Sequence, residues 1–515
     1  LAGFFVVQNR HCIPVAHVYA YHVAEAILLN HFVLIWILKP QKPLALTVKK
    51  IALLLGPLCF LIVLFLPHQN VDEPSWRVLA IAVWMLIWWL TETVNLAVTA
   101  LLPLVLLPLL GVMPLNDVSP NYANPLVYLF FGGFILALAI EKWNLHKRIA
   151  LHIIKITGTS TMRIFMGLMI ATAFLSMWIS NTATAVMMLP IAITIVDLID
   201  SEKKTRLAII VLIGIAWSAN IGGMATLIGT PPNLVLAGFM KEELNREIYF
   251  SDWIVFGLPL AIALLAIAYF LLGMLMPRSQ RQKVSGEAAL LLNKELENLG
   301  PLSVGEKRVL FVFIVTAFAW ILRKQLVDLT GLDELSDTVI ALLAGIFLFV
   351  TPSGEANHSR LLVWKDTQRL EWGILILFGG GLALASAIQQ STWVTRIGDA
   401  IGSMGFENPF MLIIVITILG VFLTEVISNM ALVTALLPLI AALAVGSNSD
   451  FYDLALPLTL GASCAFMLPM ATPPNAIVFS SGRLTVATMA KFGFWMNLLS
   501  IGIIILLMYI LMSIK

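Results

Sequence analysis

A short polar tripeptide occurs twice in this chain, as Ser180-Asn181-Thr182 and as Ser428-Asn429-Met430, each time inside a long apolar segment. Each is followed eight residues later by a proline, Pro190 and Pro438. Downstream of each comes a second matched signal, Gly229-Thr230-Pro231-Pro232-Asn233 and then Ala471-Thr472-Pro473-Pro474-Asn475. Adding 248 to a residue number carries Phe174-Leu175-Ser176 onto Phe422-Leu423-Thr424, Ile179 onto Ile427 and Leu189-Pro190 onto Leu437-Pro438. The same shift carries Gly132-Gly133 onto Gly380-Gly381. A single register spanning a glycine pair and a polar interruption is an internal repeat, and it must be read before any individual segment.

The surrounding composition fixes the solvent. Of 515 residues, 60% are hydrophobic and 12% charged, against roughly 45–50% and about 25% in soluble domains. The fold class expected is therefore an all-α polytopic membrane protein. In lipid, irregular backbone survives only where protein or a water-filled cavity satisfies it. Paired interruptions in two halves of a chain point to the central binding site of a transporter. A net charge of +2 gives no reason to expect a nucleic-acid partner, and three scattered cysteines form no metal or redox spacing.

Charges at the ends of the apolar segments set the path of the chain. Lys49 and Lys50 precede the first span, near 51–66; the next loop holds Asp72 and Glu73 without a basic residue. Further spans are expected over 77–94, 96–112 and 125–140, the last delivering Lys142, Lys147 and Arg148 to the first side. The segment 163–199 is basic at both ends, so a re-entrant hairpin with Ser180-Asn181-Thr182 at its tip is the economical path. The chain then crosses through the Gly229 region, returns over 253–276 and enters the one long hydrophilic stretch, 278–308. Spans near 309–326, 336–350 and 373–387 follow. A second hairpin is expected over 409–445, then spans near 454–470 and 492–513. The expected total is about 11 transmembrane helices plus two re-entrant hairpins, with the N-terminus cytoplasmic and the C-terminus extracytoplasmic. The expected division is an N-terminal extension (1–46, with an interfacial helix around 24–38), a first inverted repeat (47–277), a cytoplasmic connector (278–308) and a second inverted repeat (309–515).

Hairpin tips of Ser, Asn and Thr present side-chain oxygens and an amide. The half-helix beginning after each tip aims its N-terminal amides at the site, which suits a carboxylate. The carbonyls that end the preceding half-helix suit a hard cation. The Thr-Pro-Pro-Asn breaks add more of both, because proline leaves upstream carbonyls without helical donors. No Lys or Arg lies near either tip in sequence, so an anionic solute would be neutralised by co-bound cations and helix dipoles. Glu92 and Glu425 sit near apolar segments, where carboxylates default to functional roles; hairpin support or an ion-field role is expected of them rather than direct coordination. An enzyme is not expected, since neither His-Glu-x-x-His nor Gly-x-Ser-x-Gly occurs. A channel is disfavoured, since occluding hairpins suit alternating access.

With two such tips, two such breaks, Trp-Trp-x-Thr-Glu at 88–92 and Leu-Pro after each hairpin, the chain resembles the divalent anion:sodium symporter family from about Thr47 onward. That resemblance implies sodium-coupled symport of C4-dicarboxylates (succinate, malate, fumarate) across the cytoplasmic membrane, with Na+ as the co-transported ion. It implies a first sodium site of Ser176, Ser180, Asn181 and Gly229, and a second of Thr424, Ser428, Asn429 and Ala471. The dicarboxylate would touch Asn181, Thr182, Asn429, Thr230, Thr472 and Pro473. A homodimer is also implied, in which scaffold domains hold elevator-type transport domains within the lipid bilayer. Met430 departs from the pattern, standing where a second Thr is expected, which bears on substrate choice. Two other readings stay open at this point: a sodium-independent dicarboxylate exchanger, and a symporter of another oxyanion such as sulfate or citrate.

Overall fold

The computed structural model describes residues 41–68, 71–199, 206–276, 286–355, 358–393, 396 and 408–514. The helix expected over 24–38, and the four histidines before residue 32, lie outside the described residues. Among the described residues the regular structure is helical, apart from one small two-stranded hairpin, Pro352–Glu355 against His358–Arg360. Among the described residues, eight helices are long and apolar enough to cross a membrane, with a bent pair as a ninth candidate. Four shorter apolar helices, Leu96–Leu109, Thr161–Ser176, Asp337–Val350 and Pro409–Leu423, complete the set. The segment expected to cross over 309–326 instead ends at Ile321, and the chain turns by 81° into Arg323–Thr330. Arg323 explains the turn: its guanidinium sits 3.8 Å over the Tyr249 ring and donates to the Leu335 carbonyl at 3.3 Å, contacts available at the end of the bundle and not within lipid.

Each polar tripeptide is the bend of a helical hairpin. The first pairs Thr161–Ser176 with Asn181–Ile199, the second Pro409–Leu423 with Asn429–Gly446. Serine begins the second arm in both: Ser180 Oγ accepts from the Ala183 amide and Ser428 Oγ from the Ala431 amide, each at 3.3 Å. These N-caps satisfy donors that lipid could not.

The two breaks are built alike. Helix Arg206–Met224 stops before the chain resumes as Pro231–Leu244, and Phe451–Ala462 stops before Pro473–Ser480. Proline opens each resumed helix, where its missing N–H costs nothing. One asparagine then stitches each gap. Asn233 donates to the Gly223 and Thr226 carbonyls at 3.3 and 2.9 Å, and Asn475 to those of Ala465 and Leu468 at 3.2 and 3.0 Å. The second gap is wider than the expected span over 454–470 allows. Its cause is Glu425, whose carboxylate accepts the amides of Phe466, Met467 and Leu468 at 2.8–2.9 Å. A continuing helix would have given those amides to its own carbonyls.

The repeated glycine pairs are packing devices. A Cβ on Gly132 would lie 2.6 Å from the Ala341 side chain, and one on Gly380 would collide with the Ala100 carbonyl. Small residues here let helix backbones approach closely, as helix contacts in lipid favour. Helix Arg206–Met224 is buried on nearly every face and forms the centre of the bundle. On one side, the connector helix Gly286–Asn298 lies on the amphipathic helix Leu145–Thr157, joined by Lys147–Glu295 at 2.8 Å. Buried Arg148 holds Glu306 through two bonds of 2.8 and 3.1 Å and also donates to the Gly300 and Leu299 carbonyls.

Asp72 caps helix Glu73–Thr91 and ties it to the far end of Trp372–Gln389. Its carboxylate accepts from the Ser75 hydroxyl (2.7 Å), the Ser75 amide (3.0 Å) and the Thr392 hydroxyl (2.8 Å). The Ser75 hydroxyl and then Thr392 hold its pKa down to about 2, against an ordinary 3.8. A carboxyl depressed on folding stabilises above its unfolded pKa, so this tie is complete above pH 4 and lost as pH falls towards 2. Asp72→Ala is expected to cost about 1 kcal/mol, the usual value of an N-cap, read as a lower thermal midpoint at pH 7. The difference from wild type should narrow as pH falls through about 2 and close below it.

Candidate functional site: a central cavity between two hairpin tips

The two tips and the two breaks meet at one cavity of about 240 Å³. That is below the roughly 300–1,000 Å³ typical of drug-sized ligands, and it suits a small solute. Ser180, Asn181, Thr182, Gly229 and Thr230 line it from the first half; Ser428, Asn429, Met430, Ala471, Thr472 and Pro473 line it from the second. Phe130, Phe134 and Trp178 supply apolar walls.

Ser176 and Thr424 stand one layer behind, fully buried, and they make matching clusters. The Ser176 hydroxyl lies 2.6 Å from Asn181 Oδ1 and 2.7 Å from the Ala219 carbonyl. The Thr424 hydroxyl lies 2.7 Å from Asn429 Oδ1 and 2.6 Å from the Ala462 carbonyl. A hydroxyl has one proton to share between those two acceptors. Each cluster is thus an oxygen triangle short of positive charge, the donor set that hard monovalent cations take. Gly223 and Gly229 close the first one tightly: a Cβ on Gly223 would lie 2.5 Å from Asn181 Oδ1, and one on Gly229 would lie 2.5 Å from the Gly223 carbonyl. On the other side of each asparagine, the N-termini of Asn181–Ile199 and Asn429–Gly446 face the cavity, where their dipoles favour an anion.

Glu425 has a partner set of its own. Besides the three backbone amides it accepts from Asn497 Nδ2 at 2.8 Å. It does not line the cavity, so it supports the second tip from behind. Its repeat mate, Met177, has no carboxylate; there Thr226 donates to the Met177 carbonyl at 2.6 Å instead. Glu92, expected in a supporting or ion-field role at a hairpin, is exposed at the C-cap of Glu73–Thr91 with φ 44°. It lines an outer chamber rather than the central cavity, because the helix ends before reaching either tip.

Two polar cavity residues had not been singled out in the sequence. Asn220, buried in the central helix, donates to the Ala465 carbonyl (3.0 Å) and to Thr472 Oγ1 (3.1 Å), locking the second break to the first half. Its signal was an amide within an apolar run. Glu371 lines the cavity from the start of Trp372–Gln389; it lies two residues before the expected span over 373–387, where nothing in the sequence set it apart.

Residues 47–514 match the family model described as "Sodium:sulfate symporter transmembrane region". The chain belongs to that family. The resemblance read from the tips and breaks is thereby confirmed. Within the family it is 41% identical over 474 residues to the sodium-dependent dicarboxylate transporter SdcS of Staphylococcus saprophyticus, covering 90% of this chain and 91% of that one. It is also 41% identical over 489 residues to SdcS of Staphylococcus aureus strain MRSA252, covering 92% and 93%. Two solved structures share the fold at low identity. Neisseria gonorrhoeae MtrF aligns with TM-score 0.52 and 14% identity over 76% of this chain and 83% of its own. The Alcanivorax borkumensis YdaH transporter aligns with TM-score 0.50 and 13% identity over 86% and 99%. Those two likenesses speak to fold alone.

Proposed function

We propose that this protein is a secondary active transporter that carries a C4-dicarboxylate together with Na+ across the cytoplasmic membrane by alternating access. The carrying observation is the pair of oxygen triangles, Ser176–Asn181–Ala219 and Thr424–Asn429–Ala462, flanking one small cavity whose described lining holds no Lys or Arg. Such a cavity favours a dianion most when cations sit beside it, which is the physical motive for co-transport. The sodium-dependent dicarboxylate transporters among its relatives support the same reading. In it, Ser176, Ser180, Asn181 and Gly229 hold one Na+. Thr424, Ser428, Asn429 and Ala471 hold another. Asn181, Thr182, Thr230, Asn429, Met430, Thr472 and Pro473 contact the dicarboxylate.

The two halves, 47–277 and 309–515, would run in opposite senses about the connector, with the N-terminus cytoplasmic and the C-terminus outside. A homodimer whose scaffold holds the hairpins and breaks as an elevator-type moving unit fits this plan. The test is radiolabelled succinate uptake into proteoliposomes with Na+, Li+ or K+ outside. Uptake driven by a Na+ gradient into empty vesicles supports the proposal. Uptake that needs internal dicarboxylate and ignores Na+ would make the protein an exchanger, and uptake of sulfate unaffected by succinate would assign another oxyanion.

Met430 is mostly buried and lines the cavity. Met430→Thr adds a hydroxyl to the anion side of the second tip. We expect the ranking of succinate, malate and fumarate to shift by about tenfold or more, the worth of one hydrogen bond to a charged group. An unchanged ranking in competition assays would remove Met430 from the substrate contacts.

A further inference from the structure

Among the described residues, Glu371 is the one charged side chain that lines the central cavity. It belongs to neither hairpin and neither break. It occupies the N-cap position of Trp372–Gln389, yet its side chain makes no capping hydrogen bond there. The carboxylate instead shares the cavity wall with Ser180 of the first tip. Glu371 also lines a second chamber, which shares Leu96, Ile374 and Leu377 with the cavity and is bounded farther out by Glu92 and Thr93. Glu371 and Glu92 are both exposed, so this chamber is the way out to solvent. It opens on the face of Lys49, whose carbonyl accepts from the Thr93 hydroxyl.

A carboxylate is the wrong sign for recognising a dicarboxylate, and it would work against one. It is the right sign for a cation. An ion leaving the oxygens of Ser180 and Asn181 by the open route passes Glu371, which lines both the cavity and the chamber beyond it. Hard cations prefer a carboxylate to neutral oxygens, and a negative group at a cleft mouth raises the local concentration of positive ions.

We propose that Glu371 and the Ser180 hydroxyl form a transit site for Na+ at the mouth of the cavity, serving only the face that carries Lys49. This rests on the sodium-coupled function proposed above. Because Glu371 lies outside the hairpins and breaks while Ser180 sits on the first tip, the two meet only when the tip faces this chamber, and there the carboxylate hands cations to and from the first cation position.

The test compares the Na+ concentration for half-maximal uptake at saturating succinate in inside-out and right-side-out membrane vesicles. Glu371→Gln is expected to raise that concentration about three- to tenfold when Na+ is added on the Lys49 face, the effect of losing one partly screened charge. The opposite face should keep the wild-type value, and Glu371→Asp should retain wild-type behaviour on both. No rise on the Lys49 face, or an equal rise on both faces, overturns the transit site. If the wild type shows no Na+-dependent uptake at all, the proposed function falls. The site is then judged by Na+ titration of the thermal stability of purified protein. Glu371→Gln should shift that titration to higher Na+, and an unshifted curve ends the proposal.

Discussion

Asn181→Ala and Asn429→Ala should each abolish dicarboxylate uptake, by about a hundredfold or more. Each asparagine oxygen sits in an oxygen triangle with a buried hydroxyl and a main-chain carbonyl. Each also opens the helix whose N-terminus faces the cavity. Removing the side chain therefore weakens a cation ligand and an anion contact together. At roughly 1.5–3 kcal/mol for each contact to a charged group, the joint loss reaches two decades or more. Ser180 and Ser428 still cap the arms through Ala183 and Ala431, so the variants should remain monodisperse in detergent with nearly unchanged melting in Na+-free buffer. What they should lose is stabilisation by added Na+. Succinate uptake within about tenfold of wild type in either variant, with normal yield, would remove that asparagine from the shared site.

Glu425→Ala is expected to fail earlier, at folding. Its carboxylate takes three consecutive backbone amides and the Asn497 amide, all in the buried interior. Deleting it leaves four donors without partners at about 1–3 kcal/mol each, enough to exhaust the stability of an ordinary domain. Glu425→Gln helps little, since the amide turns its own N–H groups towards backbone donors. Both variants should show low monodisperse yield and a thermal midpoint far below wild type, with or without Na+. A Glu425→Gln protein that melts like wild type but needs more Na+ for transport would show that the carboxylate acts through its field on the second cation position and not as a splint.

Much of the site was legible in one sequence because it is written twice. The register of 248 placed Ser180-Asn181 against Ser428-Asn429 and the glycine pairs against one another, and those positions do the same physical work in both halves. Ser176 and Thr424 differ in residue type but make the same two oxygen contacts. Where the halves diverge, sequence reasoning lost its footing. Met177 and Glu425 are repeat mates with different chemistry, and only the fold shows that Glu425 unwinds the chain from Ser463 to Thr472. Glu92 was singled out in the sequence and Glu371 was not, although both border apolar segments. The first lines only the outer chamber, and the second lines the central cavity as well.

From the amino-acid sequence alone come the helical membrane class, the internal repeat, the two interruptions per half and the identity of the polar residues at them. These follow from local rules: hydropathy selects lipid, proline and glycine stop helices, and polar groups in lipid require partners. Tertiary structure alone decided that four interruptions share a single cavity. It also decided that Ser176 and Thr424 stand behind the asparagines, that Asn220 bridges the halves, and that Glu371 lines the cavity. Those facts depend on which helix faces approach across more than two hundred residues of chain, and that is settled by close packing between segments whose sequences carry no record of their neighbours.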